Sequence, residues 1–168
     1  ATSETAKYRA FIWLPVRVAP EHKLVVIARD DDATFGVLSS RFHTVWALAT
    51  GATLGQTPVY TASLCFETFP FPAGLTPNIP ASEYADDPRA QAIANAARKL
   101  NELRENWLNP PEWVDRVPEI VPGYPDRLIP KPECAAELKK RTLTNLYNQR
   151  PTWLDHAHRA VDEAVAAA

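Results

Sequence analysis

The chain has 168 residues, 46% of them apolar, enough to bury about 70% of its unfolded surface and to hold a core in one domain or two small ones. Its 18 Lys and Arg against 20 Asp and Glu leave a formal charge of −2, which excludes a bulk polycation and restricts any nucleic-acid contact to local basic patches. Cys65 and Cys134 lie far apart without metal-type spacing, and no charged start, apolar leader or long apolar run is present, so a disulfide framework, a zinc site, a signal peptide and a membrane span are all disfavoured and the cytoplasm is the expected compartment.

In chain order, residues 8–14 (YRAFIWL) and 24–28 (LVVIA) are short aromatic or β-branched runs broken by Pro15, Pro20 and polar residues, and are predicted as strands. Asp30, Asp31 and Asp32 then precede a run with Leu38, Phe42, Val45 and Ala49 on one side and Gly51 at its end, the pattern of one capped helix. Capping and the helix dipole account for the three aspartates better than a metal does, since further ligands are not evident. The other side of this helix carries Ser40, Arg41, His43 and Thr44, donors suited to phosphates or base edges, or otherwise a solvated face.

Gly51, Gly55 and Thr57-Pro58 predict a loop before an extended segment over residues 60–71. Within TASLCFETFPFP (residues 61–72), Leu64, Phe66, Phe69 and Phe71 supply apolar surface while Pro70 and Pro72 bar a central strand, so this segment should end a sheet and anchor the part of the chain beyond it. Cys65, in apolar company and without an evident His partner, reads as an inert buried thiol.

Residues 73–86 are rich in Pro, Gly, Ala and polar groups and read as a connector. Asp87-Pro88 then opens a helix with Ile93, Ala97, Leu100, Leu103 and Trp107 in a stripe, stopped by Asn109-Pro110-Pro111. Residues 117–133 (VPEIVPGYPDRLIPKPE) are too proline-rich for regular structure and predict a packed loop that docks Ile120, Val121, Tyr124 and Leu128. Two further helices are expected near 133–147 and 152–168, the second burying Leu154, Ala157, Val161 and Val165. The expected fold class is α+β: a small mixed strand and helix part, then about three helices with the proline-rich loop packed among them.

No methionine occurs, and the closing VDEAVAAA carries no helix stop, which suits a piece of a longer protein. Catalytic patterns are weak throughout. Asn109-Pro110-Pro111-Glu112 shares three letters with the Asn/Asp-Pro-Pro-aromatic tetrapeptide of amino-methyltransferases, but it ends in Glu112 and closes a helix rather than a strand. His156 and His158 are two apart on a helix and point away from each other, and Ser39 and Ser40 lack the glycines of a nucleophile elbow.

The segments WLP, VVIARDDDATFGVLSSRFHTVWALATGATLG, VYTASLCFETFPFP, LNELRENWLNPPE, VPGYPDRLIP and LKKRTLTNLYNQRPTWLDHAHRAVDEAVAAA, taken in order, resemble the C-terminal part of the MmeI-like bacterial adenine-specific DNA methyltransferases of restriction-modification and phage-defence systems. That resemblance implies that residues 1–72 are the end of a target-recognition domain, 73–86 a connector and 87–168 a helical C-terminal domain. It further implies duplex DNA as a partner, with the methyltransferase domain of the same parent chain as a second. S-adenosylmethionine would serve that absent domain, leaving no cofactor and no catalytic residue in this piece.

Loops on a rigid scaffold usually carry recognition, so Arg41, His43, Thr53, Gln56 and Tyr60 are the expected DNA-contacting side chains, with Lys7 and Arg9 on phosphates. Lys139, Lys140, Arg141 and Arg150 form a basic cluster that either tracks the DNA backbone or packs against the enzyme. The competing reading is a protein interaction module, holding partners through Trp107, Trp113 and Trp153 without touching DNA.

Overall fold

Helix α1 (Asp32–Ser39) is buried on every side from Ala33 onward, and the remaining elements are arranged around it. The computed structural model describes residues 1–168 and has an α+β fold of short antiparallel strand pairs and helices. The start of α1 is set by Asp31, whose Oδ1 accepts the Thr34 N–H at 2.8 Å in the N-cap arrangement its position predicts. Arg29 donates from Nε to Asp31 Oδ2 at 2.9 Å and from Nη1 to the carbonyls of Pro77 and Ile79 at 2.9 and 2.8 Å, while the Tyr84 hydroxyl donates to Asp31 Oδ1 at 3.1 Å. Burial alone would raise the Asp31 carboxyl, but the Thr34 N–H and Arg29 together hold it below the usual carboxylate range. One aspartate thus caps a helix and clasps the 73–86 segment, in which Leu75 and Tyr84 are buried. Asp31→Ala is expected to lower stability by about 1.5 kcal/mol, read as a reduced urea midpoint with an unchanged m-value.

The single helix expected after the aspartates is two helices. Ser40 adopts φ −73°, ψ 159°, accepts the His43 N–H on Oγ at 3.4 Å and donates that hydroxyl to the Val37 carbonyl at 2.7 Å, so it ends α1 and caps α2 (Arg41–Thr50) together. This break rotates the second helix relative to the expected pattern. His43 and Ala47 face inward, whereas Phe42, Val45 and Leu48 are exposed, Val45 to 64%.

Residues 8–14, expected as a strand, are irregular. They run between two apolar clusters, with Tyr8 and Ala10 against one and Phe11 and Trp13 against the other, so side chains on both faces find helices and no strand need pair alongside. The predicted 24–28 strand is reduced to β2 (Leu24–Val25), antiparallel to β1 (Thr2–Ser3). A second hairpin joins β3 (Ala52–Leu54) to β4 (Thr57–Val59), and Gly55 at its tip takes the φ of +61° that the turn requires.

The phenylalanine-proline run is not extended at its start. Residues Ala62–Phe66 form a wide helical turn, closed by Glu67 N–H donating to the Ala62 carbonyl at 2.9 Å, which leaves Leu64 exposed and Cys65 fully buried. The aromatic rings do anchor the chain: Phe69 meets His43 edge to face at 4.7 Å and Phe71 at 5.0 Å, and Phe71 meets Phe66 at 5.6 Å.

Helix α3 (Pro88–Leu108) begins as expected, Asp87 accepting the Arg89 N–H at 2.8 Å with Pro88 in the first turn, and Asn109 closes it through its N–H to the Glu105 carbonyl at 2.8 Å. Its stripe of Ala90, Ile93 and Leu100 joins Ala33 and Val37 of α1 in one cluster with Leu154, Ala157, Val161 and Val165 of α6 (Thr152–Ala166). Gly36 permits the closeness of α1 and α3, since a Cβ there would lie 2.5 Å from Ile93 Cγ2 and 3.2 Å from its carbonyl oxygen. A second cluster of Phe11, Phe35, Leu38, Ala47, Tyr60 and Cys65 also takes in Ala97 of α3.

The proline-rich passage is a hairpin rather than a docked loop. Strands β5 (Val114–Val117) and β6 (Arg127–Pro130) pair in antiparallel register, and the connection projects outward, with Ile120 exposed to 87% and Val121 and Tyr124 also exposed. The prolines at its two ends cap a two-stranded edge, where a missing N–H is tolerated. The helix expected near 133–147 is divided into α4 (Ala135–Leu138) and α5 (Leu143–Gln149), because Thr142 caps the latter by accepting the Asn145 N–H at 3.2 Å.

Arg104, on α3, is only 2% exposed and reaches across to the residue 8–14 segment, where its Nη2 donates to the Phe11 carbonyl at 2.7 Å. Its Nη1 donates to the Tyr147 hydroxyl at 3.4 Å, and that hydroxyl lies 2.8 Å from His158 Nε2. A guanidinium thus supplies the donor that an irregular buried carbonyl needs.

Candidate functional site

The seven side chains expected to address DNA fall into three groups. His43 and Tyr60 belong to the core: both are buried, and His43 Nε2 and the Tyr60 hydroxyl share a hydrogen bond of 2.9 Å. Burial, and then the Arg9 charge, lower the His43 pKa to about 4, and burial raises the Tyr60 phenol, so both are neutral near pH 7. Neither presents an atom to a groove, which corrects the expectation for these two. The one-helix pattern places His43 outward, and the turn at Ser40 puts it inside.

Thr53 and Gln56 are exposed on the β3–β4 hairpin, Thr53 opposite Pro58 in register and Gln56 beside the Gly55 tip. The hairpin is tied to the amino-terminal segment by Tyr60 N–H to the Glu4 carbonyl at 2.7 Å.

Lys7, Arg9 and Arg41 form the basic group. Lys7 is exposed and donates to Asn148 Oδ1 of α5 at 2.7 Å. Arg9 is half-buried over the Tyr60 ring at 4.9 Å and donates to Thr2 Oγ1 at 3.1 Å and to the Ser3 carbonyl, with burial lowering its pKa from the ordinary arginine value. Arg41 is exposed, and its guanidinium lies 5.2 Å from the Phe42 ring without a side-chain hydrogen bond. Arg9 and Arg41 line one cavity of about 220 Å³.

The tail's basic cluster is dispersed. Arg141 is a packing residue, donating to the Trp107 carbonyl at 2.7 Å with its guanidinium 4.1 Å from the Trp113 ring, and Lys140 pairs with Glu137 at 2.6 Å. Arg150 stands apart from them and lines the cavity of Arg9 and Arg41. Ser39 and Arg150 are members of that wall that reading along the chain does not reveal, because they are distant in sequence and carry no shared motif. No cluster of three His, Cys, Asp or Glu side chains suited to a metal is formed, and no helix is long and apolar enough to cross a membrane.

The α+β scaffold leaves Thr53 and Gln56 exposed on the β3–β4 hairpin and Arg41 exposed at the start of α2. Residues 1–73 match the family described as MmeI, target recognition domain, and the match ends just after the phenylalanine-proline run. No curated protein and no solved structure matches the chain.

Proposed function

We propose that the chain positions duplex DNA as the last part of a target-recognition domain and the helical tail of an S-adenosylmethionine-dependent adenine methyltransferase of a restriction-modification or phage-defence system. The observation that carries this reading is the family match over residues 1–73. In functional terms residues 1–72 face the duplex, 73–86 connect, and 87–168 support, while methyl transfer and its cofactor belong to a methyltransferase domain of the same parent chain. The exposed Thr53 and Gln56 are the base-directed side chains, and Lys7, Arg9 and Arg41 are the phosphate-directed ones.

A labelled duplex should bind with an affinity that falls steeply as salt rises, because each neutralised phosphate contributes about −0.9 to the slope of log K against log salt. Arg41→Ala should reduce that slope by about one while leaving stability within about 0.5 kcal/mol, since the exposed guanidinium makes no side-chain hydrogen bond to lose. Anisotropy titrations at several salt concentrations, with thermal melts of both proteins, read the two quantities. The competing reading, a module that binds protein without DNA, draws support from the exposed Phe42, Val45 and Leu48 of α2, rather than from Trp107, Trp113 and Trp153, which are all partly covered. Failure of the duplex to bind at low salt would favour it.

A further inference from the structure

We infer that the cavity between the α1–α2 junction and the α5–α6 turn is a binding site for a phosphate oxyanion, supplied by the DNA backbone, with ligands from both the recognition segment and the helical tail. This inference rests on the proposed function for the source of the phosphate, but the cavity itself stands on its own geometry. It encloses about 220 Å³ and is lined by three guanidinium groups, Arg9, Arg41 and Arg150, against a single carboxylate, Asp162. The carboxylate is already committed, because it accepts the Arg41 backbone N–H at 2.7 Å and so occupies the start of α2. The arginines retain donors. Arg41 makes no side-chain hydrogen bond, and Arg150 is bonded only through Nε, to Asp155 at 2.6 Å, which leaves both terminal nitrogens for a ligand.

A second observation points to a ligand. Ser39 lines the same cavity at 7% exposure, and its buried Oγ has no hydrogen-bond partner. A buried hydroxyl without a partner is costly, and a phosphate oxygen in the cavity would supply the acceptor. Arg150 also holds φ +44° at the end of α5, a conformation that glycine would adopt with less strain, and its side chain meets α6 at Asp155.

Ser39→Ala and Arg150→Gln separate a ligand role from a folding role. Inorganic phosphate titrated into the full chain and monitored by amide shifts should perturb Ser39, Arg41 and Arg150, with each substitution weakening binding about tenfold. Thermal melts without phosphate should show Ser39→Ala at least as stable as the parent, since it removes an unsatisfied hydroxyl, and Arg150→Gln nearly unchanged, since its ion pair is exposed. Unaltered phosphate affinity in both variants would overturn the site. The source is read with a duplex: displacement of phosphate by DNA, and a salt slope reduced by about one in Arg150→Gln, support the backbone. Phosphate binding with an unchanged duplex slope in Arg150→Gln would overturn the DNA source and leave a free phosphate site. Absence of any duplex binding by the parent would remove the proposed function, while the phosphate titration would still decide the cavity.

Discussion

Gly36→Val is expected to destabilise the protein by about 3 kcal/mol, the upper end of what overpacking a close contact costs. The sign is informative. Replacing glycine inside a helix normally gains up to about 1 kcal/mol through helix propensity, so a loss requires a specific steric reason. Here the first added carbon would sit 2.5 Å from Ile93 Cγ2, 3.1 Å from the Ala97 Cβ and 3.2 Å from the Ile93 carbonyl oxygen. Two of these neighbours are a β-branched side chain and the α3 backbone, neither of which can swing away, so α1 and α3 must separate along their length. The cluster that shares Val37, Ile93, Leu100 and Val161 would loosen with them. Urea unfolding monitored by far-UV dichroism gives the change directly, and a Gly36→Val protein as stable as the parent would mean that α1 and α3 are not held this close.

Acidification is expected to remove about 3 kcal/mol of stability through His43 alone between pH 6.5 and pH 4. The direction is set by the two pKa values. In the unfolded chain the imidazole takes up its proton near pH 6.5, whereas in the fold burial and the neighbouring Arg9 hold it neutral down to about 4. Above pH 6.5 both states are neutral and the stability is fully present. Between 6.5 and 4 only the unfolded chain is protonated, so stability falls with pH, and below 4 the contribution is constant. His158 acts in the same direction, its pKa lowered to about 4 by burial and then by Arg104 and Arg150. His43→Gln keeps a hydrogen-bonding group opposite Tyr60 and removes the titration, so its urea midpoint should fall less than the parent's between pH 7.5 and 4.5. Parallel pH curves for the two proteins would place His43 in water.

The elements that local chemistry specifies are legible in the sequence, and the ones that depend on tertiary company are not. Asp87-Pro88 and Asn109 mark the two ends of α3 by capping alone, and Leu154, Ala157, Val161 and Val165 mark the inner side of α6 by spacing alone. Ser40 defeats such reading, because the same serine suits a helix interior facing water and a break between two helices. Only Val37 in front of it and the His43 N–H behind it decide for the break. That one residue carries the candidate site with it, turning His43 inward and Phe42 and Val45 outward. The residue 8–14 segment misleads for a related reason: its composition suits a strand, but Phe35 of α1, stacked on Trp13, and Tyr147 of α5, stacked on Tyr8, give its side chains better partners than a sheet would. Thr53 and Gln56 are legible as exposed polar positions next to glycines and Arg41 as an exposed helix residue, but that Arg41 opens a second helix is not. The joint wall of Ser39, Arg41 and Arg150 arises only when the α1–α2 junction docks on α6, at Asp162, beside the turn at Arg150.

Arg104 carries a practical consequence for anyone dividing this chain. Its donor satisfies the Phe11 carbonyl from a helix that begins after the family match has ended at residue 73. Homology therefore stops where physical self-sufficiency does not. A clone trimmed to the matched stretch would strip α1 of its far wall, leave an interior carbonyl facing solvent, and offer a sticky, half-built surface to any binding assay; the intact length is the sensible reagent.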